Sequence, residues 1–311
     1  MRYRQLETAV KLVYASIFTN SAQAYFDAVK YKIEEEKMAV IIQEVVGHAY
    51  NDKFYPTLSG VAQSYNYYPI SYMEPDDGFS VAAVGLGRYV VGGENSFRFC
   101  PRYPQLNAAG LKDQLRDTQK QFYAIDLTRR EFDLLTNGES AAIKKYRIKE
   151  AEKDGTLEHT ASTYSAENDD LIPGVAGNGP RVVDFANILK YGYLPLSDAL
   201  QLLLKLFREA MGSPVEIEYA LDIEPAENGL PTLYLLQIKP LIRMEEKVEV
   251  DLKALPQSEV FMYAERGMGN GIIQEIYDVV YVDVDKFDRL QTKQIAQEIR
   301  RINEKMDREG K

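Results

Sequence analysis

Four polar residues near the middle of the second half of the chain have the types and spacing to hold a metal ion and a phosphate. Glu216 and Glu218 stand two apart, and so do Gln237 and Lys239. Residues two apart in a β-strand point to the same face. Magnesium prefers oxygen ligands and often shares them with the phosphates of a substrate, and lysine acts as a point charge against phosphate oxygens. If the two pairs lie on adjacent strands, they suit a magnesium ion and a polyphosphate.

The elements that must position these residues are predicted to be the two strands of a hairpin. Residues 215–219 and 233–240 alternate apolar and polar side chains, and the break at residues 227–229, Glu-Asn-Gly, is typical of a turn. The alternative is that the four polar residues form only a solvated face, which is the default for antiparallel sheets.

Composition indicates a globular protein that does not bind nucleic acids. The 311 residues are 45% hydrophobic and 27% charged, which suffices for one large or two smaller cores. A formal net charge of −10 opposes general nucleic-acid binding, which needs a basic face. The sequence has no apolar run long enough for a transmembrane helix and no apolar signal-peptide core, so we expect no membrane partner and a cytoplasmic location. A single cysteine, Cys100, excludes an internal disulfide and a multi-cysteine metal cluster.

Periodicity predicts the order of the other elements. Helical spacing covers residues 5–36, with a break at 18–21, and an amphipathic helix covers 195–211 with Ser197 as N-cap and Gly212 as terminator. The β-branched run at 38–47 predicts a buried strand. Further predictions are a strand at 59–64 entered through a tight glycine turn, a strand at 81–87, a turn beginning at 90–93, a helix at 111–122, a strand at 122–127 and regular structure resuming at 181–183.

Two regions are predicted to be less regular. Residues 134–179 are polar and weakly periodic, which favours a loop or an exposed insertion. Residues 244–258 form a charged linker, followed by a strand at 279–282, a turn at 283–288 and a helix at 291–306.

Five segments occur in an order that resembles the ATP-binding domain of phosphoenolpyruvate synthase and pyruvate, phosphate dikinase, which is an ATP-grasp fold. The segments are residues 9–18, 38–47, 59–62, 85–93 with the sequence Gly-Leu-Gly followed by Val-Val and Gly, and the hairpin at 216–220 and 235–240. The resemblance covers roughly residues 5–105 and 180–245. It implies an α+β fold: an ATP-grasp-like lobe with a mixed or antiparallel sheet and flanking helices, a partial first lobe and a small C-terminal βα unit.

The resemblance also implies a division of the chain. Residues 1–37 would be the helical end of the first ATP-grasp lobe, and residues 38–245 the second lobe with a polar insertion at about 130–180. Residues 246–311 would be a linker and the start of a further α/β unit. The chain is thus expected to be a domain fragment of a larger phosphotransferase that stops before the phosphocarrier. Residues 97–104 and 267–271 resemble a branch of synthase-like proteins with extra domains.

By resemblance, the cofactors are ATP and Mg²⁺, and the site residues fall into three groups. Glu216, Glu218 and Gln237 would hold the metal, and Glu218 and Lys239 would be catalytic, with Lys239 on the phosphates. The remaining nucleotide contacts would come from Gln43, Glu44, Val45 and Val46 in the hinge beside the adenine, and from Gly60, Gly85 and Gly87, where backbone can approach phosphate oxygens.

The implied function is phosphorylation of a carrier histidine outside this chain, for transfer to pyruvate. Its partners would be the phosphohistidine carrier domain and the enolpyruvate domain of the parent protein. Synthase and dikinase activity both stay open, as does the oligomeric state. His48 and His159 are predicted to be solvent-exposed loop residues and not carriers.

Two departures from the family pattern support a second hypothesis. Lys239 stands where the family usually has arginine, and Arg88 stands where it usually has glutamate. Lysine keeps the charge but loses the bidentate fork of a guanidinium. The alternative is therefore a degenerate nucleotide-binding module with a regulatory or scaffolding role.

Overall fold

The computed structural model describes residues 2–20, 22, 37–107, 109–129, 133–224, 229–241, 256, 258, 260–263 and 278–309. Within them the chain is α+β with three antiparallel sheets, so the predicted fold class is confirmed. The strands are β1 (His48–Tyr50), β2 (Lys53–Tyr55), β3 (Leu58–Gln63), β4 (Phe79–Val84), β5 (Phe97–Phe99), β6 (Gln121–Asp126), β7 (Ile143–Arg147), β8 (Ala161–Ser165), β9 (Asp170–Pro173), β10 (Arg181–Val183), β11 (Val215–Asp222) and β12 (Thr232–Pro240).

Helices flank the sheets. They are α1 (Arg2–Ser16), α2 (Arg88–Val91), α3 (Leu111–Asp117), α4 (Leu134–Asn137), α5 (Ile148–Lys153), α6 (Ala186–Leu189), α7 (Leu196–Met211) and α8 (Thr292–Glu309). Short 3₁₀ turns occur at Pro75–Asp77, Gly138–Ser140, Val284–Lys286 and Arg289–Gln291. Among the described residues, no helix is long and apolar enough to cross a membrane.

The central sheet has the strand order β12-β11-β3-β4-β5, and one of its faces packs against α7. Leu196, Leu200 and Leu204 recur every four residues, so they form one apolar stripe on α7 that is buried in the core. From the sheet, Ile217 and Tyr219 are fully buried in the same core. This face accounts for the apolar half of the alternation in β11.

The ends of α7 confirm one prediction and correct another. Gly212 ends the helix in the left-handed conformation, with φ of 65°, as predicted. Pro195 and not Ser197 occupies the N-cap, and the Ser197 hydroxyl is buried without a hydrogen-bond partner among the described residues. Proline fits there because its fixed φ suits the start of a helix and its nitrogen has no hydrogen to satisfy.

The region predicted to be a loop or an exposed insertion is largely regular. It contains β7, α5, β8 and β9, in sheets with the orders β1-β2-β6-β7 and β10-β8-β9. Ala151 and Leu157 are fully buried in the main core, and the polar side chains of Thr160 and Ser162 are buried as well. The prediction of irregular structure at 134–179 is wrong because these elements are short and bury small or polar residues, which gives a weak hydrophobic period.

The predicted buried strand at 38–47 is also wrong. Residues 37–47 form no strand, and the side chains of Ile41 and Ile42 are 81% and 71% exposed. An apolar run becomes a buried strand only where a neighbouring strand pairs with it, and no described strand pairs with this one. The strand predicted at 279–282 is likewise absent, since these residues are exposed and pair with none of the described strands.

The structure tests the bounds of several other predicted elements. β6, β10 and α8 lie where strands or a helix were predicted, and α3 is shorter than predicted. α1 ends at Ser16, before the predicted break. Residues 23–36, 225–228, most of 244–258 and 267–271 lie outside the described residues.

Asp184, between β10 and α6, predicts a measurable pH effect on stability. It is only 8% exposed, and desolvation raises the pKa of its carboxyl. Because the folded state then binds the proton more tightly than the unfolded state, this group lowers the free energy of unfolding as pH rises through its titration. Asp184→Asn retains an oxygen to accept the N–H of Ala186.

We therefore expect Asp184→Asn to raise the melting temperature relative to the unsubstituted protein at pH 7. The advantage should shrink as the pH falls and should be lost at about pH 3, below the ordinary pKa of aspartate, where the carboxyl is largely protonated in both states. Thermal unfolding followed by circular dichroism at several pH values measures this. An equal difference in melting temperature across the range would contradict the assigned desolvation.

Candidate active site on the central sheet

The face of the central sheet opposite α7, here called the open face, carries the predicted metal ligands in register. Adjacent residues across antiparallel strands lie close together. One row runs across five strands in the order Gln237, Glu218, Val61, Val81 and Arg98. The neighbouring row runs across four strands in the order Lys239, Glu216, Gln63 and Phe79.

Glu216 and Glu218 surround a single cation. The ammonium nitrogen of Lys239 lies 2.7 Å from an oxygen of Glu216 and 3.5 Å from an oxygen of Glu218. The hydrogen bond to Glu216 raises the pKa of Lys239. Gln63 donates a hydrogen bond of 2.5 Å to the other oxygen of Glu216 and so fixes its carboxylate. The hairpin thus brings together the four residues that the sequence singled out.

This donor set fits a magnesium ion that is shared with phosphates. Two carboxylates already hold one positive charge, and the amide of Gln237 stands directly opposite Glu218. Among the described residues, no group of three or more acidic, histidine or cysteine side chains could hold a metal. Magnesium commonly uses one or two carboxylates and completes its six ligands with phosphates and water, so two suffice.

A β-bulge in β12 connects the hinge segment to this site. Glu218 pairs with Gln237 while Tyr219 pairs with Leu235, so Leu236 is the extra residue. Its carbonyl oxygen accepts a hydrogen bond of 3.1 Å from the side-chain amide of Gln43. The structure therefore places Gln43 against β12 at Leu236, the residue before Gln237.

The rest of the predicted hinge has no regular secondary structure. Glu44 is exposed, Val45 is 48% exposed and Val46 is half-buried. The two valines offer an apolar surface that follows the contact of Gln43 with β12. Their contact with adenine stays a prediction.

Gly60 lies inside β3, between β11 and β4, and the predicted tight turn at this residue is wrong. A Cβ atom at Gly60 would stand 2.4 Å from Cζ and from the hydroxyl oxygen of Tyr219, and 2.6 Å from the carbonyl oxygen of Val81. The hydroxyl of Tyr219 is held 2.8 Å from that of Ser80. The glycine is required because the tyrosine ring crosses it on the buried face of the sheet.

Gly85 and Gly87 connect β4 to α2 at one end of the open face. Gly85 has φ of +88°, and a Cβ there would lie 2.7 Å from the carbonyl oxygen of Tyr123. Its own carbonyl accepts a hydrogen bond from Ser59, two residues before Val61 on β3. Gly87 is the N-cap of α2, which ends at Val91, so the turn predicted to begin at residues 90–93 begins two residues later, at Gly92 and Gly93.

Both histidines contact other side chains, although they were predicted to be solvent-exposed loop residues. His48 lies in β1, half-exposed, with Nδ1 3.2 Å from a carboxylate oxygen of the buried Asp222. Asp222 also accepts a hydrogen bond from Thr57. The ring of His159 stacks on that of Tyr193 with centroids 3.9 Å apart.

A separate cleft lies elsewhere on the molecule. It has a volume of about 710 Å³ and lies between α7, the 3₁₀ turn before β4 and the segment after β5. None of the predicted site residues lines it. Its arginines are paired, with Arg102 at 2.8 Å from Asp77 and Arg208 at 3.0 Å from Asp76. A polyphosphate bound to these arginines would have to break both pairs.

Two residues of the open face were not predicted. Gln63 continues the alternation from Ser59 and Val61, and this period of two in β3 could have placed it on the face of the carboxylates. Arg98 could not be placed in this way, because its position depends on the pairing of β5 with β4.

Comparison with known proteins agrees with this geometry. Residues 2–260 match the model of the family described as the AMP/ATP-binding domain of pyruvate phosphate dikinase. No curated protein matches the chain. Because the family match covers most of the 311 residues, the chain belongs to the family of pyruvate phosphate dikinase AMP/ATP-binding domains and is the ATP-binding part of a protein of the dikinase or phosphoenolpyruvate synthase kind.

Proposed function

We propose that the open face binds Mg²⁺-ATP and that the protein transfers a phosphoryl group from it to a carrier histidine outside this chain, for delivery to pyruvate in the cytoplasm. The observation that carries the proposal is the placement of Glu216 and Glu218 around one cation, in a family of ATP-binding domains. The carrier and enolpyruvate domains of the parent protein are the proposed partners.

The four polar residues of the hairpin have different roles in this proposal. Glu216 and Glu218 would hold the magnesium ion, and Gln237 would supply a further oxygen. A magnesium ion held there would supply positive charge to the phosphates. Lys239 would contribute a further positive charge to phosphate oxygens.

The hinge and the glycine turn hold the two ends of the nucleotide. Val45 and Val46 pack on the adenine, and the hydrogen bond from Gln43 to Leu236 holds this segment against β12. Glu44, between Gln43 and Val45, belongs to the same group of nucleotide contacts. Gly85 and Gly87 close the opposite end of the open face. A contact between Gly60 and phosphate would use only its backbone, because the buried side of this residue is filled by Tyr219.

Phosphorus NMR on the intact protein with Mg²⁺-ATP and pyruvate tests the reaction. Formation of AMP, phosphoenolpyruvate and free phosphate indicates a synthase, whereas pyrophosphate formed only with added phosphate indicates a dikinase. If ATP stays intact under both conditions in folded protein, the reaction is excluded and the regulatory or scaffolding module becomes the better account.

Replacing Lys239 by arginine is expected to strengthen the binding of Mg²⁺-ATP. A guanidinium can bind a carboxylate or a phosphate with two parallel hydrogen bonds, whereas an ammonium acts as a point charge. We expect Lys239→Arg to increase the affinity for Mg²⁺-ATP several-fold in isothermal titration calorimetry. The matched control is Lys149→Arg on the exposed side of α5. An unchanged affinity in Lys239→Arg would show that the lysine does not limit phosphate binding.

A further inference from the structure

Arg98 lies on β5 at the far end of the row that begins with Gln237 and Glu218. Its guanidinium carbon stands 3.7 Å from the centroid of the Phe79 ring. One terminal nitrogen donates a hydrogen bond of 2.8 Å to the side-chain oxygen of Asn66. Among the described residues, Arg98 forms no ion pair with a carboxylate.

The surroundings fix this guanidinium firmly. Asn66 is only 2% exposed, its backbone N–H is bound to the carbonyl of Pro75, and its side-chain oxygen also accepts the N–H of Tyr68. A guanidinium has five N–H donors, and Asn66 takes one of them. The others have no partner among the described residues. Desolvation lowers the pKa of Arg98, as expected for a cation covered by an aromatic ring without a nearby anion.

The position of Arg98 relative to the carboxylates suits a polyphosphate. Phe79, on which the guanidinium rests, and Glu216 lie in the same row with Gln63 between them. Neighbouring strands are about 4.8 Å apart, so these two backbones are separated by about 10 Å across the sheet. Side chains reaching in from both sides shorten this gap to a span that a chain of phosphates can cross.

The surface between the two charged ends is neutral. In the row of Glu218 it consists of Val61 and Val81, and in the row of Glu216 it consists of Gln63. No cation of the described open face competes with Arg98 along this strip, since Lys239 stands on the far side of the carboxylates at β12. An anion that leaves the metal end in the direction of β5 therefore meets Arg98 first.

We propose that Arg98 is a second phosphate-binding group of the open face and holds the end of the polyphosphate that is remote from the nucleoside. The inference rests on the proposed Mg²⁺-ATP site and adds a residue to it. The planar fork of Arg98 suits two oxygens of one phosphate, so it supplies the bidentate contact that Lys239 cannot make. Asn66 and Phe79 act as positioning residues that hold the fork in place.

Binding of ATP and of AMP by matched variants tests this assignment. Hydrogen bonds to charged groups contribute about 1.5–3 kcal/mol, so we expect Arg98→Ala to weaken Mg²⁺-ATP binding about 10- to 100-fold in isothermal titration calorimetry. AMP lacks the outer phosphates, so its affinity should change less than about threefold. Arg98→Lys should lie between, because it retains the charge without the fork. Arg147→Ala, an exposed arginine of β7 in another sheet, is the control.

The outcomes separate this inference from the proposed function. A loss for ATP that exceeds the loss for AMP, with an unchanged melting temperature, supports the assignment. Equal losses for both ligands, or none, overturn it while leaving the Mg²⁺-ATP site intact. Absence of Mg²⁺-ATP binding in the unsubstituted protein overturns both. Should Arg98→Ala prove unstable, Arg98→Lys decides, because an ATP-to-AMP affinity ratio equal to that of the unsubstituted protein contradicts a bidentate contact.

Discussion

Glu218→Gln is expected to weaken the binding of Mg²⁺-ATP at least about 100-fold and to reduce phosphoryl transfer in proportion. The substitution keeps the shape of the side chain but removes one of the two negative charges of the proposed metal site. Loss of residues that merely support a metal ligand costs about 10- to 100-fold in metal affinity, so loss of a charged ligand should cost more. Glu216 remains, but it is already engaged by Gln63 and Lys239.

Isothermal titration calorimetry with ATP in the presence and absence of magnesium measures this effect. The unsubstituted protein should bind ATP more tightly with magnesium, and Glu218→Gln should lose most of that difference. Glu167→Gln, at an exposed position after β8, is the matched control and should behave as the unsubstituted protein. Undiminished magnesium-dependent binding and turnover in Glu218→Gln would remove this carboxylate from the site.

Gly60→Ala is expected to lower the free energy of unfolding by about 3 kcal/mol. Overpacking a buried site typically costs about 1–3 kcal/mol. We expect the upper end of this range because the added methyl group would overlap both Tyr219 and Val81. The ring of Tyr219 is fully buried and held by Ser80, and the carbonyl of Val81 belongs to an adjacent strand. Moving either the tyrosine ring or the carbonyl group aside would therefore cost free energy.

Urea unfolding of Gly60→Ala and Gly87→Ala distinguishes the free-energy cost of steric overlap from the cost of losing glycine's backbone freedom. At Gly87 a Cβ would meet nothing closer than Cβ of Ser59 at 3.7 Å, and the residue has an ordinary φ of −57°. We therefore expect Gly87→Ala to unfold within about 1 kcal/mol of the unsubstituted protein. Equal stability of the two variants would mean that the Tyr219 ring does not occupy the space above Gly60.

The central hairpin could be predicted from the sequence because polar and apolar residues alternate around its two pairs of polar side chains. Alternation in 215–219 and 233–240 placed Glu216, Glu218, Gln237 and Lys239 on one face, and the structure pairs them directly. α7 could be predicted for the same reason, since its leucines recur at helical spacing and Gly212 terminates it.

Other parts of the fold depend on tertiary contacts that a linear pattern does not contain. Residues 38–47 have the composition of a buried strand, yet burial requires a partner strand, and Ile41 and Ile42 are exposed. Gly60 occupies a position that two distant residues dictate, one on β11 and one on β4. The bulge at Leu236 shifts the register within β12 by one residue and gives Gln43 its acceptor.

Diffraction from crystals grown with magnesium and a non-hydrolysable ATP analogue tests the central claim most directly. We expect the metal on the open face, about 2.1 Å from a carboxylate oxygen of Glu218, with the polyphosphate directed toward β5. Nucleotide bound instead in the cleft between Asp77 and Arg208, or on the open face without any metal contact to Glu216 or Glu218, would contradict the account.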